Sequence, residues 1–168
     1  MDLRETQAPL KDRYRDDPAT ARVTLRADGR AAEGPISCSV DLGRAIYDAQ
    51  AHVGVGGAGT AGCSGDLLLG ALAACAQLTC QMVATAMELP VDSVNAQVEG
   101  DLDLRGTLGL SRDVPAGFDA IRLRIEVDAP DATDEQLAKL RDKTERYCTV
   151  AQTLMQPPPL AVEMARSA

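Results

Sequence analysis

The sequence has no tryptophan, one phenylalanine (Phe118) and three tyrosines (Tyr14, Tyr47 and Tyr147). So few aromatic rings cannot form a platform on which nucleic-acid bases stack. Clustered Lys and Arg are also missing, and the formal net charge is −8. Binding a phosphate backbone needs concentrated positive charge, so this balance argues against a nucleic-acid partner. His52 is the only histidine, and a metal site of the zinc type is not expected without that ligand in number. No Gly-Lys-Ser/Thr occurs, which removes a P-loop. Charge is dense between Asp2 and Asp17 with no apolar run, so no export leader is expected there.

What is present suits a soluble globular protein. In 168 residues, 45% are hydrophobic and 25% charged, enough for one domain with a real core. Residues 1–20 read as a mobile charged lead-in, and residues 21–168 as a single domain. The cysteines are Cys38, Cys63, Cys75, Cys80 and Cys148. An odd number with irregular spacing points to reduced thiols in the cytoplasm, where a disulfide is more often transient than structural.

Alternation marks the strands. Residues 22–28 and 35–42 alternate apolar and polar positions, and DGRAAEG between them reads as a hairpin connection. Residues 43–51 are ambiguous. Residues 94–104 alternate through Val94, Ala96, Val98, Leu102 and Leu104. Residues 118–127 do so through Ile121, Leu123, Ile125 and Val127, with GTLGLSRDVPAG as a hairpin-like excursion between the two. LAVEM near the end is expected to be a last short strand.

The uncharged run LLLGALAACAQLTCQMVATAM, residues 67–87, is the longest feature. Ser64 is positioned to cap it, Asp66 suits the positive end of its dipole, and Pro90 stops it. Its length matches a bilayer. Its composition does not, because Gln77, Thr79, Gln81 and Thr85 are spread around it and acids rather than Lys or Arg flank it. A helix apolar nearly all round is buried all round, and a chain this short needs a second subunit to supply the missing wall. Thr133 and Gln136 form a capping box for a further helix with Leu137 and Leu140 on its buried side. Together these elements predict an α+β fold with antiparallel sheets.

Two motifs are weak. Gly54 to Gly59 satisfies G-x-G-x-x-G, but no helix opens inside it and no parallel strand follows, so it reads as a flexible loop. Nothing in the sequence orients His52 toward Cys63. Cys75 lies among alanines, where a cysteine can be merely a small hydrophobe. A thiolate there needs a stabiliser, and Cys75 is too far along its helix to feel the dipole of that helix's own end. A reactive Cys75 therefore demands a cation from elsewhere. Cys148, after Arg146 and near an expected helix start, has the better electrostatic setting.

SGDLLLGALAACAQLTCQMVATA, GDLDLRGTLGL and ERYCTVAQTL resemble the OsmC/Ohr family of osmotically inducible and organic-hydroperoxide-resistance proteins, over roughly residues 20–163. The resemblance implies an intertwined homodimer, with antiparallel sheets wrapped around long central helices and active sites at the subunit interface. It implies a thiol peroxidase for organic hydroperoxides, and less well for hydrogen peroxide, that needs no metal or organic cofactor. Cys75 corresponds to the cysteine that attacks the peroxide. Cys148 corresponds to the one that resolves its sulfenate into a disulfide. A dithiol reductant follows, dihydrolipoamide in characterised relatives, such as a lipoylated protein supplies. The alternative is an OsmC-like dimer that binds a thiol or small apolar ligand without efficient turnover.

The sequence departs from the strongly active pattern at one place. Gly65 stands where such members carry a Glu that holds an activating Arg. Asp66 does not replace it, because nine residues at about 100° each place it on the face opposite Cys75. Arg15, Arg22, Arg26 and Arg30 are the candidates for the Arg. The LLL-x-AL-x-x-C form resembles the OsmC-like branch more than the Ohr branch. No role is assigned to Cys38, Cys63 or Cys80, and Cys80 lies about 140° around the helix from Cys75.

Overall fold

The computed structural model describes residues 7, 9, 12, 16 and 17, the backbone of 28–31 and 37–41, and residues 46–166. Strands β1 (Asp28–Ala31), β2 (Ser37–Asp41) and β3 (Ile46–Gln50) form an antiparallel sheet in that order. The first described strand falls on residues read as the connection, with Asp28 opposite Asp41 and Ala31 opposite Cys38. Ladder hydrogen bonds are made by the backbone, so pairing with β2 holds a segment whose side chains show no alternation. Residues 22–27, and residues 1–20 apart from the five named, lie outside the described residues. The ambiguous segment becomes β3, with Asp48 opposite Ser39.

Helix α1 runs Ser64–Ala86, roughly 35 Å. Its N-cap is Cys63 rather than Ser64, and Asp66 Oδ2 accepts from Cys63 N at 2.8 Å. That hydrogen bond holds the Asp66 carboxyl below the usual carboxylate range. The helix ends before Pro90, with Met87 as its cap and Glu88 in the left-handed region at φ 56°. By length and composition α1 could cross a membrane. Here it packs on β4 (Ser93–Leu102), on α3 (Asp134–Tyr147) and on α4 (Thr149–Met155).

Strands β4 and β5 (Phe118–Asp128) form the second antiparallel sheet, joined through the short helix α2 (Leu104–Thr107). The register matches apolar to apolar, with Val94 opposite Val127, Ala96 opposite Ile125 and Val98 opposite Leu123. The alternation fails at the strand end, where Leu102 is exposed and Leu104 belongs to α2. The outer face carries Arg122 bonded to Asp101 and Glu99, a solvated pairing that contributes little to stability. Thr133 and Gln136 make the expected capping box on α3. LAVEM forms no strand. Leu160, Val162 and Met164 are exposed, and no described strand pairs with them. A strand needs an edge to pair with, and the segment finds none within this chain among the described residues.

The core has two parts. One packs Cys80, Val83, Ala84, Leu89, Val94 and Leu140. The other packs Leu72, Ala76, Cys148 and Ala151, with Cys75 at its margin. Thr144 of α3 is 2% exposed, and its hydroxyl has no hydrogen-bond partner of normal geometry. The Cys80 thiol nearby is only a weak partner. A buried hydroxyl in that state costs more than the methyl that could replace it. Thr144→Val is therefore expected to raise stability by about 1 kcal/mol, read as a higher denaturant midpoint at unchanged slope.

Candidate functional site

The site is built where α3 stops and α4 starts. Cys148 is the C-cap of one helix and the N-cap of the other, with extended φ −72° and ψ 105°. One residue out of helical conformation breaks what is otherwise a continuous run. The break leaves the first N–H groups of α4 without carbonyl partners of their own helix, as at every helix start. They meet Cys75, which α1 presents midway along its length.

The structure brings Cys75 and Cys148 together in one packed cluster, close enough for each thiol to shift the other's ionisation. Both are free thiols, Cys75 half-buried and Cys148 1% exposed. Their electrostatics differ. Burial pushes the Cys75 thiol up. Hydrogen bonds from Val150 N–H, the Cys148 thiol, the Thr79 hydroxyl and Thr149 N–H outweigh it, and the pKa falls below the ordinary 9.0. Thr79 Oγ1 lies 4.0 Å from Cys75 Sγ, one helical turn away. Burial pushes the Cys148 thiol up over the opposing Ala151 N–H, and a charge on Cys75 raises it further.

This reverses the order expected from the sequence. Arg146 does not serve Cys148, and its guanidinium lies over the Tyr147 ring at 5.7 Å. Hydrogen bonds lower the Cys75 pKa here, and among the described residues no Lys or Arg figures among the causes. Arg15, Arg22 and Arg26 lie outside the described residues. Of Arg30 only the backbone is described, opposite Ser39.

The amide donors can be tested directly. Proline at the first position of a helix is tolerated, and it needs an extended residue before it, as Cys148 is. Thr149→Pro removes one N–H from the Cys75 sulfur. Wild-type Cys75 is expected to titrate below 9.0, with alkylation by iodoacetamide rising with pH and levelling off once the thiolate is fully formed. In the variant that midpoint moves up. An unchanged midpoint removes the Thr149 amide from the account.

The other sequence candidates fall elsewhere. Cys80 is 1% exposed in the other core cluster, and burial pushes its thiol up. Cys63 caps α1. The backbone of Cys38 pairs with Ala31 and Ala49. The glycine motif forms a loop with a short 3₁₀ turn at Val53–Val55, where His52 Nδ1 accepts from Gly54 N at 3.1 Å. Its base is closed by Gln50 N donating to Gly62 O at 3.0 Å. Among the described residues no three His, Cys, Asp or Glu side chains stand close enough to hold a metal ion.

Gly65 has a structural reason. A Cβ there sits 3.2 Å from Phe118 Cζ, and one at Gly100 sits 2.6 Å from Phe118 Cε1. The single phenylalanine occupies the space that a Glu side chain at position 65 would enter.

A family model described as "OsmC-like protein" matches residues 57–163. Solved structures share the fold. An OsmC-like protein of Mycoplasma pneumoniae superposes with a TM-score of 0.69 at 18% identity, over 80% of this chain and 89% of that one. An organic hydroperoxide resistance protein, OsmC, of Legionella pneumophila gives 0.61 at 17% identity, over 80% and 90%. The organic hydroperoxide resistance protein OhrB of Bacillus subtilis gives 0.51 at 19%, over 80% and 93%. No curated protein matches the sequence.

Proposed function

Since the chain belongs to the OsmC-like family, we propose that it is a cysteine-based peroxidase that reduces organic hydroperoxides as a homodimer. One observation carries the reading: a half-buried thiol with a lowered pKa lies against a second, buried thiol from a distant part of the chain.

The chemistry follows from that pair. The Cys75 thiolate attacks one oxygen of the hydroperoxide, the O–O bond breaks, and the alkoxide takes a proton and leaves as an alcohol. Cys75 is then a sulfenic acid. The Cys148 sulfur attacks it, the S–O bond breaks, and water leaves as the disulfide forms. Cys148 need not be ionised beforehand, since it can lose its proton to the departing hydroxide. Disulfide geometry requires the two Cα atoms within about 7 Å, which thiols already in contact support. A dithiol returns both sulfurs to the reduced state. Leu72, Ala76 and Ala151 around the pair favour an organic substrate over hydrogen peroxide.

The dimer is supported by surface left uncovered. Leu68, Leu78 and Met82 lie along one side of α1, spaced with Cys75 at helical intervals, and all three are exposed. A second α1 laid on that stripe covers it and closes the site. Leu160, Val162 and Met164 alternate on the unpaired tail, as a strand does that pairs with an edge of the other subunit.

The test is sulfenate trapping. Cys148→Ser protein treated with cumene hydroperoxide and dimedone is expected to carry the adduct on Cys75. No adduct at Cys75, while the same peroxide leaves the thiol titre unchanged, defeats the peroxidase reading.

A further inference from the structure

Two helical frames fix the positions of Cys75 and Cys148. Cys75 stands midway along the 23-residue α1, and Cys148 is the single extended residue between α3 and α4. Both are free thiols packed in one cluster. The buried members of that cluster around them, Leu72, Ala76 and Ala151, are apolar. Among the described residues no third His, Cys, Asp or Glu side chain joins the pair to make a set of three ligands.

We infer that the reduced pair is a two-coordinate site for a soft monovalent metal ion, copper(I), held between the Cys75 and Cys148 sulfurs. The inference does not depend on the peroxidase reading, because it uses only the two sulfurs and the packing around them.

The number and kind of donors select the ion. Zinc in a structural site takes four ligands, and calcium or magnesium takes six or more oxygens. Two sulfurs without a third donor meet neither need. Soft thiolates select copper(I), and this closed-shell ion accepts two ligands in line. A linear S–Cu–S unit sets its sulfurs two metal–sulfur bonds apart, ~4–5 Å by analogy with zinc–sulfur bonds. Two unbonded thiols packed side by side have about that spacing, ~4 Å, whereas a disulfide draws its sulfurs to about 2 Å. The reduced pair therefore meets the ion with less rearrangement than a disulfide demands.

Each thiol gives up its proton, two copper–sulfur bonds form, and the complex carries one net negative charge. No electron is transferred. The N–H groups of Thr149 and Val150, which donate to Cys75, face that charge, and the apolar surroundings keep water from competing for the metal. Entry is open at both sulfurs. Cys75 is half-buried, and Cys148 forms part of the wall of a cavity of about 810 Å³ between β5, α3 and α4.

The test uses the full-length reduced protein under argon. Copper(I) is supplied as its acetonitrile complex against the chromogenic chelator bicinchoninate. Wild type is expected to withdraw one copper per chain, and X-ray absorption to show two sulfur neighbours at the metal. A chain carrying Cys38→Ser, Cys63→Ser and Cys80→Ala is expected to keep that copper. Adding Cys75→Ser or Cys148→Ser to it lowers the affinity by more than the ~10²-fold that loss of a supporting group costs a metal site. Cys80 lies in the core, so a further readout uses wild type alone. Copper is expected to protect Cys75 from iodoacetamide and to leave the alkylation of Cys63 unchanged, as mapped by mass spectrometry, with excess chelator restoring Cys75. No copper held against the chelator, three sulfur neighbours, or Cys75 alkylated at the same rate with and without copper overturns the inference. So does full copper binding after Cys75→Ser or Cys148→Ser. Each of these outcomes leaves the sulfenate trapping, and with it the peroxidase reading, untouched.

Discussion

Cys75→Ser is expected to bring the consumption of cumene hydroperoxide with a dithiol down to the uncatalysed rate, a loss of roughly 10²-fold or more. The reason is the nucleophile. A serine hydroxyl stays protonated in a setting where the Cys75 thiol is pulled below its ordinary pKa by Val150 N–H, Cys148, Thr79 and Thr149 N–H against the effect of burial. Oxygen in place of sulfur also leaves no sulfenate for Cys148 to resolve. Cys148→Ser behaves differently, because the first attack on peroxide does not use that sulfur. It is expected to lose sustained turnover with the dithiol while keeping one rapid oxidation per subunit, measured as loss of the Cys75 thiol in a single turnover. Equal steady-state rates for wild type and Cys75→Ser contradict the assignment of the nucleophile.

Leu140→Ala carries the largest expected effect on stability. Leu140 is 1% exposed and joins α3 to the cluster that includes Cys80, Val83, Ala84, Leu89 and Val94. It also lies between that cluster and the cavity beside Cys148. Removing its isobutyl group forfeits the transfer free energy and leaves a void, for an expected loss of about 2–5 kcal/mol. Against a typical total of about 5–15 kcal/mol, that leaves the fold close to its threshold. Urea unfolding followed by circular dichroism, at one protein concentration for both chains, gives the comparison. A loss well under 1 kcal/mol is outside the range for a buried leucine, and it removes Leu140 from the core.

The two cysteines reach their roles by different routes from the rest of the chain. Periodicity located α1, β4 and β5, because alternation and uncharged length record which faces are buried. The Thr133–Gln136 box was legible because its partners are three residues apart. The first described strand took in residues expected to connect the hairpin, and the terminal LAVEM strand did not form. Both outcomes depend on which edge is available for pairing, and a side-chain pattern does not carry that information. Resemblance to a family, rather than spacing or composition, singled out Cys75 and Cys148. On electrostatics the sequence pointed the wrong way, giving Cys148 the better setting because Arg146 is close in the chain.

The sequence by itself determined the elements, the apolar faces and the thiols available. Only the tertiary structure decided which thiol has its pKa lowered and which has it raised. The N–H groups of Thr149 and Val150 are backbone groups with no signature of their own. They act on a sulfur far along the chain, and they are free to do so because Cys148 interrupts the helix at that point. Burial of Cys148 and the packing of Cys75 against it arise in the same event, which is why the difference between the two sulfurs exists only in the folded chain.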